Sequence, residues 1–321
     1  LGAAKVGRKF CAAVNLIPDC EVCAVASKSM DRAQQFAQAH GVARYYDSYE
    51  QILDTEKPDC AYIAVTVNDH FRLTMMCLER RIPVLCEKAM FQNSAEAEAA
   101  FAKARENNVF VMEAMWSRFL PHILKVREWV REGRIGMVEL AHCDIGFIAP
   151  YDPENRYFSP ALGGGAALDI TVYAYEITTF VVEQAIRRIS AQATWSDTGV
   201  DASENFSFYY ADGRVAHLHA GTACRSDRRC SICGTKGYIV VENVNNPEKV
   251  TLYLDAENHA VAHDIELPGQ ISGYEYQVRS CMKALEEGAI ECPEMPHRET
   301  IRVMEIMDAL RAQWGVKYPF E

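Results

Sequence analysis

Short apolar runs alternate with helical stretches over the first 115 residues of the chain. The runs lie at residues 21–27, 59–65, 84–88 and 109–112, and the segments between them have apolar residues at helical spacing. Parallel strands need such crossover helices, whereas antiparallel strands can be joined by tight turns. The pattern predicts an α/β fold with a doubly wound parallel sheet of Rossmann type, over residues 1–115.

The pattern changes after residue 116. Strand-like runs recur between residues 189 and 254, joined by turns such as Asp212-Gly213, with helical stretches before and after them. Such spacing is typical of antiparallel strands. We therefore predict a C-terminal α+β domain over residues 116–321, with a large, mostly antiparallel sheet. A sheet face without helices would be a natural dimer surface.

The N-terminal turn has part of the pattern of a dinucleotide-binding loop. Gly2 and Gly7 fit the first and third glycines of G-x-G-x-x-G, and Ala4 stands at the second, where glycine lets the backbone approach a pyrophosphate. The strand that should precede the loop is almost absent, so we expect residues before Leu1. The predicted cofactor contacts of this turn are Gly2, Ala4, Lys5 and Val6.

The next strand-like run ends in Ser27-Lys28-Ser29. At this position of a dinucleotide-binding domain, an acid accepts from the ribose 2′-hydroxyl of NAD, and a basic residue without the acid accommodates the 2′-phosphate of NADP. Ser27 and Lys28 therefore favour NADP as the cofactor. Asp31 leaves NAD open as the alternative, although an acid also suits the first turn of a helix.

The run over residues 84–88 ends abruptly in an acid and a base, Glu87 and Lys88. Because ligands bind at the carboxyl ends of the strands in an open parallel α/β sheet, Lys88 is a candidate proton-transfer group. A salt bridge at the strand end is the structural alternative. The predicted cofactor contacts at this edge are Val65, Thr66, Asn68, His70, Glu87 and Lys88.

The joint between the two predicted domains is rich in aromatic and charged residues. Trp116 could offer a flat wall to a substrate, and Arg118 could orient it. The alternative is a linker that packs between the domains. A twelve-residue loop with three prolines, residues 149–160, could also cover a substrate, because long loops in compact domains are often functional.

Three glycines, Gly163–Gly165, open a predicted helix that contains Asp169 and Tyr173. Glycines in this position allow close approach of a ligand or of another backbone segment. Residues four apart share one face of a helix, so Asp169 and Tyr173 are a candidate pair. An acid near the helix cap and a core tyrosine are the structural alternative.

The net charge of −11 argues against nucleic acid as a partner, because phosphate binding needs a basic patch. No apolar run approaches the ~18–20 residues of a membrane span, and the residues from Leu1 to Lys5 lack the layout of a signal peptide. The twelve cysteines, many of them in apolar runs, indicate a reducing cytoplasm.

Two kinds of candidate metal ligand are present, and we expect no metal site. The Cys-x-x-Cys pairs, Cys20/Cys23 and Cys230/Cys233, lie in or beside predicted strands, where residues three apart point to opposite faces. His217 and His219 share a strand face, but no third ligand is evident.

These motifs together resemble the Gfo/Idh/MocA oxidoreductase family over essentially the whole chain. Glu87-Lys88-Ala89 corresponds to its Glu-Lys-Pro motif, with alanine in place of proline. The segments at residues 112–121 and 163–173 are most similar to the family's subgroup of dimeric dihydrodiol dehydrogenases and NADP-dependent D-xylose 1-dehydrogenases. The resemblance implies an NAD(P)-dependent dehydrogenase and suggests a homodimer through the C-terminal sheet.

The resemblance also implies that Lys88 and Tyr173 lie beside the nicotinamide, with Asp169 nearby. A hydride would leave a carbinol carbon of a sugar, polyol or cyclic vicinal diol as a base takes the hydroxyl proton. Lys88 can be that base near neutral pH only if its pKa falls well below ~10.4. Alternatively, Tyr173 is the acid/base and Lys88 lowers its pKa.

A second function remains open, a non-catalytic NADP-binding sensor or regulatory subunit on the same fold. Alanine at positions 4 and 89 supports it. The intact set of Lys88, Asp169 and Tyr173 speaks against it, because a sensor needs no proton relay.

Overall fold

A computed structural model describes residues 1–247, 249–256, 259–264 and 272–319, with residues 256 and 259–264 described by their backbone alone. The chain packs as two compact units. The first contains Leu1–Trp116 and the described part of Gln270–Met304. The second contains Ser117–Gly269 and Glu305–Glu321, as far as these are described.

The helices and strands are numbered in chain order. The α-helices are α1 (Lys5–Val14), α2 (Met30–His40), α3 (Tyr49–Glu56), α4 (His70–Glu79), α5 (Ser94–Asn107), α6 (Pro121–Arg131), α7 (Val172–Val182), α8 (Tyr274–Glu286) and α9 (His297–Trp314). The strands are β1 (Ala24–Ala26), β2 (Arg44–Tyr46), β3 (Ala61–Ile63), β4 (Val84–Glu87), β5 (Val111–Ala114), β6 (Val138–Gly146), β7 (Ile186–Trp195), β8 (Asp201–Tyr210), β9 (Val215–Gly221), β10 (Cys230–Gly234), β11 (Gly237–Glu242), β12 (Lys249–Ala256) and β13 (His259–Asp264).

Local sequence explains where the helices of the first unit begin and end. The Ser29 hydroxyl accepts the N–H of Arg32 at the start of α2, and Gly41 ends that helix at a φ of 69°. Asn93 caps α5 by accepting the N–H of Glu96 at 2.9 Å, while Glu96 accepts the N–H of Gln92. Such side chains satisfy N–H groups that have no partner within the helix.

The strands of the first unit are parallel, as predicted. β3, β4 and β5 form one sheet and β1 and β2 form another. β4 and β5 are buried along their whole length, as expected for parallel strands covered on both faces. Their carboxyl ends lie at one edge of the sheet, so Glu87 and Ala114 are direct neighbours there.

Leu1 and Gly2 connect the two parallel sheets. The amino group of Leu1 donates to the carbonyl of Tyr62 at 2.6 Å, and the N–H of Gly2 donates to the carbonyl of Ala26 at 2.8 Å. A cavity of about 1080 Å³ lies beside this bridge, lined by residues of β1, β3, α1 and α8. Among the described residues, the facing edges of β1 and β3 have no other partner strand.

The second unit is built on an eight-stranded sheet, counted over the described residues. The strand order is β13-β12-β11-β10-β6-β9-β8-β7, and all neighbours are antiparallel except β6 and β9. α7 packs on β6 and β9 and is buried on all sides. On the opposite face, alternate strand residues such as Leu140, His142 and Tyr238 stay at least partly exposed.

The α/β and α+β fold classes are confirmed, and three details differ from the sequence predictions. β2 and β13 were not predicted, and β6 and β9 form a parallel pair within the mostly antiparallel sheet. The predicted single boundary assigns residues 270–304 to the second domain, whereas their described part packs with the first unit. There the N–H of Val111 donates to the carbonyl of Ile290, at 3.0 Å.

Across the described part of the chain, no helix combines the length and the hydropathy that crossing a membrane would require.

Candidate active site

The N-terminal turn fits a dinucleotide phosphate. Gly2 has a φ of 102°, and a Cβ at this position would lie 2.3 Å from the carbonyl oxygen of Ala64. No side chain caps the start of α1, where Ala4 is the N-cap residue, and its first turn holds no acid. The first N–H groups of a helix attract anions, so this end suits a pyrophosphate.

The end of β1 carries a small charged cluster. Ser27 is buried, whereas the side chain of Lys28 is 60% exposed and pairs with Asp69. Arg72 contacts the same carboxylate at 3.2 Å. Burial alone would raise the pKa of Asp69, but Lys28 and Arg72 lower it below its usual value. The cluster therefore has two cations for one acid, whereas Asp31 lies exposed in the first turn of α2.

The turn after β3 contains an unpartnered polar atom. Asn68 Oδ1 is buried and has no hydrogen-bond partner among the described residues. Asn68 lies in a short 3-10 helix, Val67–Asp69, which directly follows Val65 and Thr66. A buried amide oxygen without a partner is costly, so this position also fits a bound dinucleotide.

His70 braces this turn against the turn after β4. Its ring is buried, with Nε2 3.2 Å from the carbonyl oxygen of Val65 and Nδ1 3.1 and 3.2 Å from those of Ala89 and Met90. Burial lowers the pKa of His70, and these carbonyl oxygens oppose that effect. The contacts give His70 a supporting role, and direct contact with the cofactor stays a prediction.

Glu87 is buried at the end of β4 and accepts a hydrogen bond from the Tyr62 hydroxyl. Burial raises the pKa of Tyr62 well above its ordinary value, and the charge of Glu87 raises it further. Tyr62 therefore remains a donor at neutral pH. Its ring stacks on Phe10 with the centroids 3.7 Å apart, which fixes the carboxylate from the α1 side.

Glu113 holds the backbone immediately after Lys88, which is itself half-buried. The side chain of Glu113 is 1% exposed. Its Oε1 accepts the N–H of Met90 at 3.0 Å, and its Oε2 accepts the hydroxyl of Thr300 at 2.8 Å. The Lys88–Ala89 peptide bond, which lies between Lys88 and the Met90 N–H, is cis. The turn that carries Lys88 is thus tied to β5 and to α9.

Trp116 and Arg118 each pack within their own unit. Trp116 is 3% exposed and stacks on Tyr274 with the ring centroids 5.0 Å apart. Arg118 is 5% exposed, donates to Glu176 at 2.7 Å, and lies over the ring of Phe180. A guanidinium used in this way is poorly available to a substrate, so the substrate role of both residues stays a prediction.

In the second unit, Asp169 lies in a π-helical turn, Ala167–Thr171, and Tyr173 lies in the first turn of α7. The regular helix predicted through Asp169 therefore begins later. Arg156, from the predicted covering loop, donates to Asp169 at 2.6 Å and to the Tyr157 hydroxyl at 2.7 Å. Asp169 is thus a paired carboxylate with its side chain 16% exposed, whereas Tyr173 is 7% exposed.

Several contributing residues were not predicted. Tyr62, Asp69, Glu113 and Arg156 act through contacts with residues of other segments, which periodicity does not show, and Arg72 contributes through its neighbour Asp69. Only Arg156 had an indication in the sequence, as the one basic residue in the long proline-containing loop. No cluster of metal-ligating side chains was found among the described residues.

Comparison with known proteins agrees with the fold. Residues 1–115 match a family described as an oxidoreductase family with an NAD-binding Rossmann fold, and residues 123–240 match the GFO/IDH/MocA C-terminal domain. The chain is 31% identical to a trans-1,2-dihydrobenzene-1,2-diol dehydrogenase of Xenopus tropicalis, over 99% of this chain and 97% of that protein. The chain belongs to the Gfo/Idh/MocA oxidoreductase family. It is accordingly an NAD(P)-dependent oxidoreductase.

Another relative has the same enzyme name, and two solved structures have the same fold. The human trans-1,2-dihydrobenzene-1,2-diol dehydrogenase is 29% identical over 98% of this chain and 95% of its own. A levoglucosan dehydrogenase in complex with NADH and levoglucosan has a TM-score of 0.88 at 17% identity, covering 98% of this chain and 95% of its own. A 3-ketoreductase from Actinomadura kijaniata, with NADP and TDP-benzene, has a TM-score of 0.88 at 23% identity, covering 97% and 95%. These two structures establish the shared fold.

Replacing Glu113 with alanine tests the support of the Lys88 turn. The change leaves the Met90 N–H and the Thr300 hydroxyl without this acceptor, so we expect the free energy of unfolding to fall by about 1–3 kcal/mol for each buried group left unpaired. Chemical denaturation measures the change. Glu106→Ala, at an exposed position of α5, is the control. Equal denaturation midpoints for the two variants would contradict the bracing role.

Proposed function

We propose that the protein is an NADP-dependent dehydrogenase that acts on a carbinol of a sugar, a polyol or a cyclic vicinal diol. The observation that carries the proposal is the placement of Lys88 at the carboxyl end of β4, on a turn fixed by Glu113 and His70. The names of the relatives, which include diol and sugar dehydrogenases, support the substrate class.

The proposed catalytic residues are Lys88, Tyr173 and Asp169. Lys88 takes the hydroxyl proton, or Tyr173 takes it with Lys88 lowering its pKa. Asp169 favours the ammonium form of a nearby lysine, and its pairing with Arg156 limits this effect because the carboxylate is partly neutralised. A bound NADP supplies the hydride acceptor. Trp116 and Arg118 are retained as candidate substrate-side residues.

The preference for NADP rests on the charged cluster at the end of β1. Lys28 is largely exposed, and Arg72 shares its carboxylate partner, so a 2′-phosphate would find two cations there. The proposed cofactor contacts are Gly2, Ala4, Lys5, Val6, Ser27, Lys28, Val65, Thr66, Asn68, His70, Glu87 and Lys88. NAD, with Ser27 and Asp31 at the ribose, is the alternative.

The face of the eight-stranded sheet opposite α7, the open face, supports the proposal of a homodimer. Leu140 and Val240 are half-exposed on this face, and Tyr238 stacks on Tyr253 with the ring centroids 4.5 Å apart. Apolar and aromatic side chains of this kind are typical of a covered surface. All twelve cysteines are free, which supports a reducing cytoplasm as the compartment.

Turnover with a panel of aldoses, inositols and dihydrodiols, each with NADP and with NAD, tests the proposed function. Lys88→Met and Tyr173→Phe are each expected to lower kcat by about 10²–10⁴-fold with the best substrate, because proton transfer is lost. Lys103→Met, at a partly exposed position of α5, is the control. Full activity of both variants would overturn the mechanism. Reduction of NADP by any member of the panel would dismiss the sensor alternative.

Lys28→Ala tests the cofactor preference. Loss of one charge-assisted contact, about 1.5–3 kcal/mol, is expected to raise the Kd for NADP by about 10–100-fold and to leave the Kd for NAD nearly unchanged. Fluorescence titration with each reduced cofactor measures both constants, and Lys103→Ala is the matched control. An equal effect on NAD and NADP would contradict a 2′-phosphate site at Lys28.

Leu140→Lys tests the dimer. A charge at the centre of the open face is expected to shift the protein from dimer to monomer at micromolar concentration, as measured by light scattering after size exclusion. Leu124→Lys is the matched control, because Leu124 is exposed on α6. A wild type that is itself monomeric, or two variants with the same mass as a dimeric wild type, would refute this interface.

A further inference from the structure

Two buried acids of β8 lie beneath the segment that leads to Asp169 and Tyr173. Asp201 is 1% exposed and Glu204 is 0% exposed. The backbone carbonyl of Asp201 accepts the N–H of Ala166 at 3.0 Å, and its Oδ2 accepts the N–H of Ala167 at 2.7 Å. One residue of the sheet thus holds the first two N–H groups of this segment.

The glycine run makes this approach possible. Gly165 has a φ of 114°, and a Cβ at this position would lie 2.3 Å from Asp201 Oδ1. Any other residue would therefore collide with the carboxylate and would strain the backbone. The third glycine, Gly165, leaves room for the Asp201 carboxylate. The glycine run therefore has a structural role within the second unit itself.

Glu204 is the second acid of this pair. Burial raises the pKa of Glu204 well above its ordinary value, and the neighbouring Asp201 raises it further. The other titratable group that faces it is Tyr175 of α7, whose pKa burial and the two acids also raise. Two neighbouring carboxylates do not both ionise readily, which is the physical reason that Asp201 raises the pKa of Glu204.

The cluster is poorly suited to a purely stabilising role. Glu204 lies within hydrogen-bonding range of Asp201 and of the Thr171 hydroxyl, whereas the Tyr175 hydroxyl is buried without a hydrogen-bond partner among the described residues. Burying two neighbouring acids costs free energy, and apolar residues of similar size would avoid the cost. What the acids do provide is a fixed position for the backbone at Ala166 and Ala167.

We propose that Asp201 is a positioning residue for the reaction: it sets the placement of Asp169 and Tyr173 by holding the start of their segment, with the buried Glu204 beside it. The inference rests on the proposed function, since it needs Asp169 and Tyr173 to act on the substrate. Asp201 itself acts only through Ala166 and Ala167.

Asp201→Ala and Asp201→Asn form the test. Alanine removes the acceptor for the Ala167 N–H, and a displacement near 1 Å lowers rates by about 10²-fold, so we expect kcat to fall by about that factor with KM little changed. Asparagine keeps an acceptor oxygen at the same place and is expected to recover activity to within about fivefold of wild type, because asparagine and aspartate serve equally as caps. If the two variants have equal kcat, or if alanine lowers only the melting temperature, the inference is wrong.

Glu204→Gln keeps the proposal testable if Asp201→Ala does not fold. Glutamine mimics the neutral acid, so activity near neutral pH is expected to stay within about threefold of wild type. In wild type the folded state keeps a proton that the unfolded chain loses above its ordinary pKa of 4.5, so the melting temperature should fall as pH rises from there. Glu204→Gln should remove this slope and any extra alkaline loss of kcat. Identical pH profiles for the two proteins would overturn the role of Glu204.

Tyr173→Phe, measured in parallel, distinguishes a failure of positioning by Asp201 from a failure of the proposed function. If Tyr173→Phe is inactive and Asp201→Ala is fully active, positioning by Asp201 is refuted and the proposed function stands. If Tyr173→Phe is fully active, the proposed role of Tyr173 fails and the inference falls with it. Hydrogen exchange of the peptide containing Ala167 provides a readout without turnover, and faster exchange in Asp201→Ala than in Asp201→Asn is the supporting result.

Discussion

A buried carboxylate that must be satisfied by backbone N–H groups is the constraint on which both candidate catalytic segments depend. Glu113 accepts the N–H of Met90, two residues after Lys88, and Asp201 accepts the N–H of Ala167, two residues before Asp169. Removing a charge from water is expensive unless donors replace the water. Each acid can therefore remain buried only while the adjacent turn keeps its shape. The cost of burial is what gives these turns a defined position on their strands.

The periodicity of the sequence was sufficient for the fold class and for most elements. Buried strands such as β4 and capped helices such as α2 are determined by neighbouring residues, so their type could be predicted from local pattern. β2, three residues long and mostly exposed, has neither strand length nor alternation that separates it from a loop. The assignment of α8 to the first unit depends on packing against α1, which no local pattern contains.

The residues of the candidate site likewise fall into those that local motifs indicate and those that only tertiary contacts reveal. Lys88, Asp169 and Tyr173 could be named because each belongs to a motif with a recognisable spacing. The residues that set their surroundings, Glu113 and Arg156, lie far from those motifs in sequence and reach them only through tertiary contacts. Arg118 is a case that local sequence leaves open, because a charged residue beside a motif suggests ligand binding. The structure places its guanidinium against Glu176 and Phe180, and its substrate role stays a prediction.

The parallel pairing of β6 with β9 has a consequence for how the second unit can assemble. β8 pairs with β9 on one side and with β7 on the other, and β11 likewise pairs with β10 and with β12. All four pairings are antiparallel, so each group of three strands can form from contacts close in sequence. β6 joins the groups, yet residues 149–160, the π-helical turn, α7, β7 and β8 all lie between it and β9 in the chain. Its pairing must close that long loop, at a cost in chain entropy. We therefore expect the pairing of β6 with β9 to be among the slower steps in forming the sheet, and the stretch of chain that it closes contains Asp169 and Tyr173.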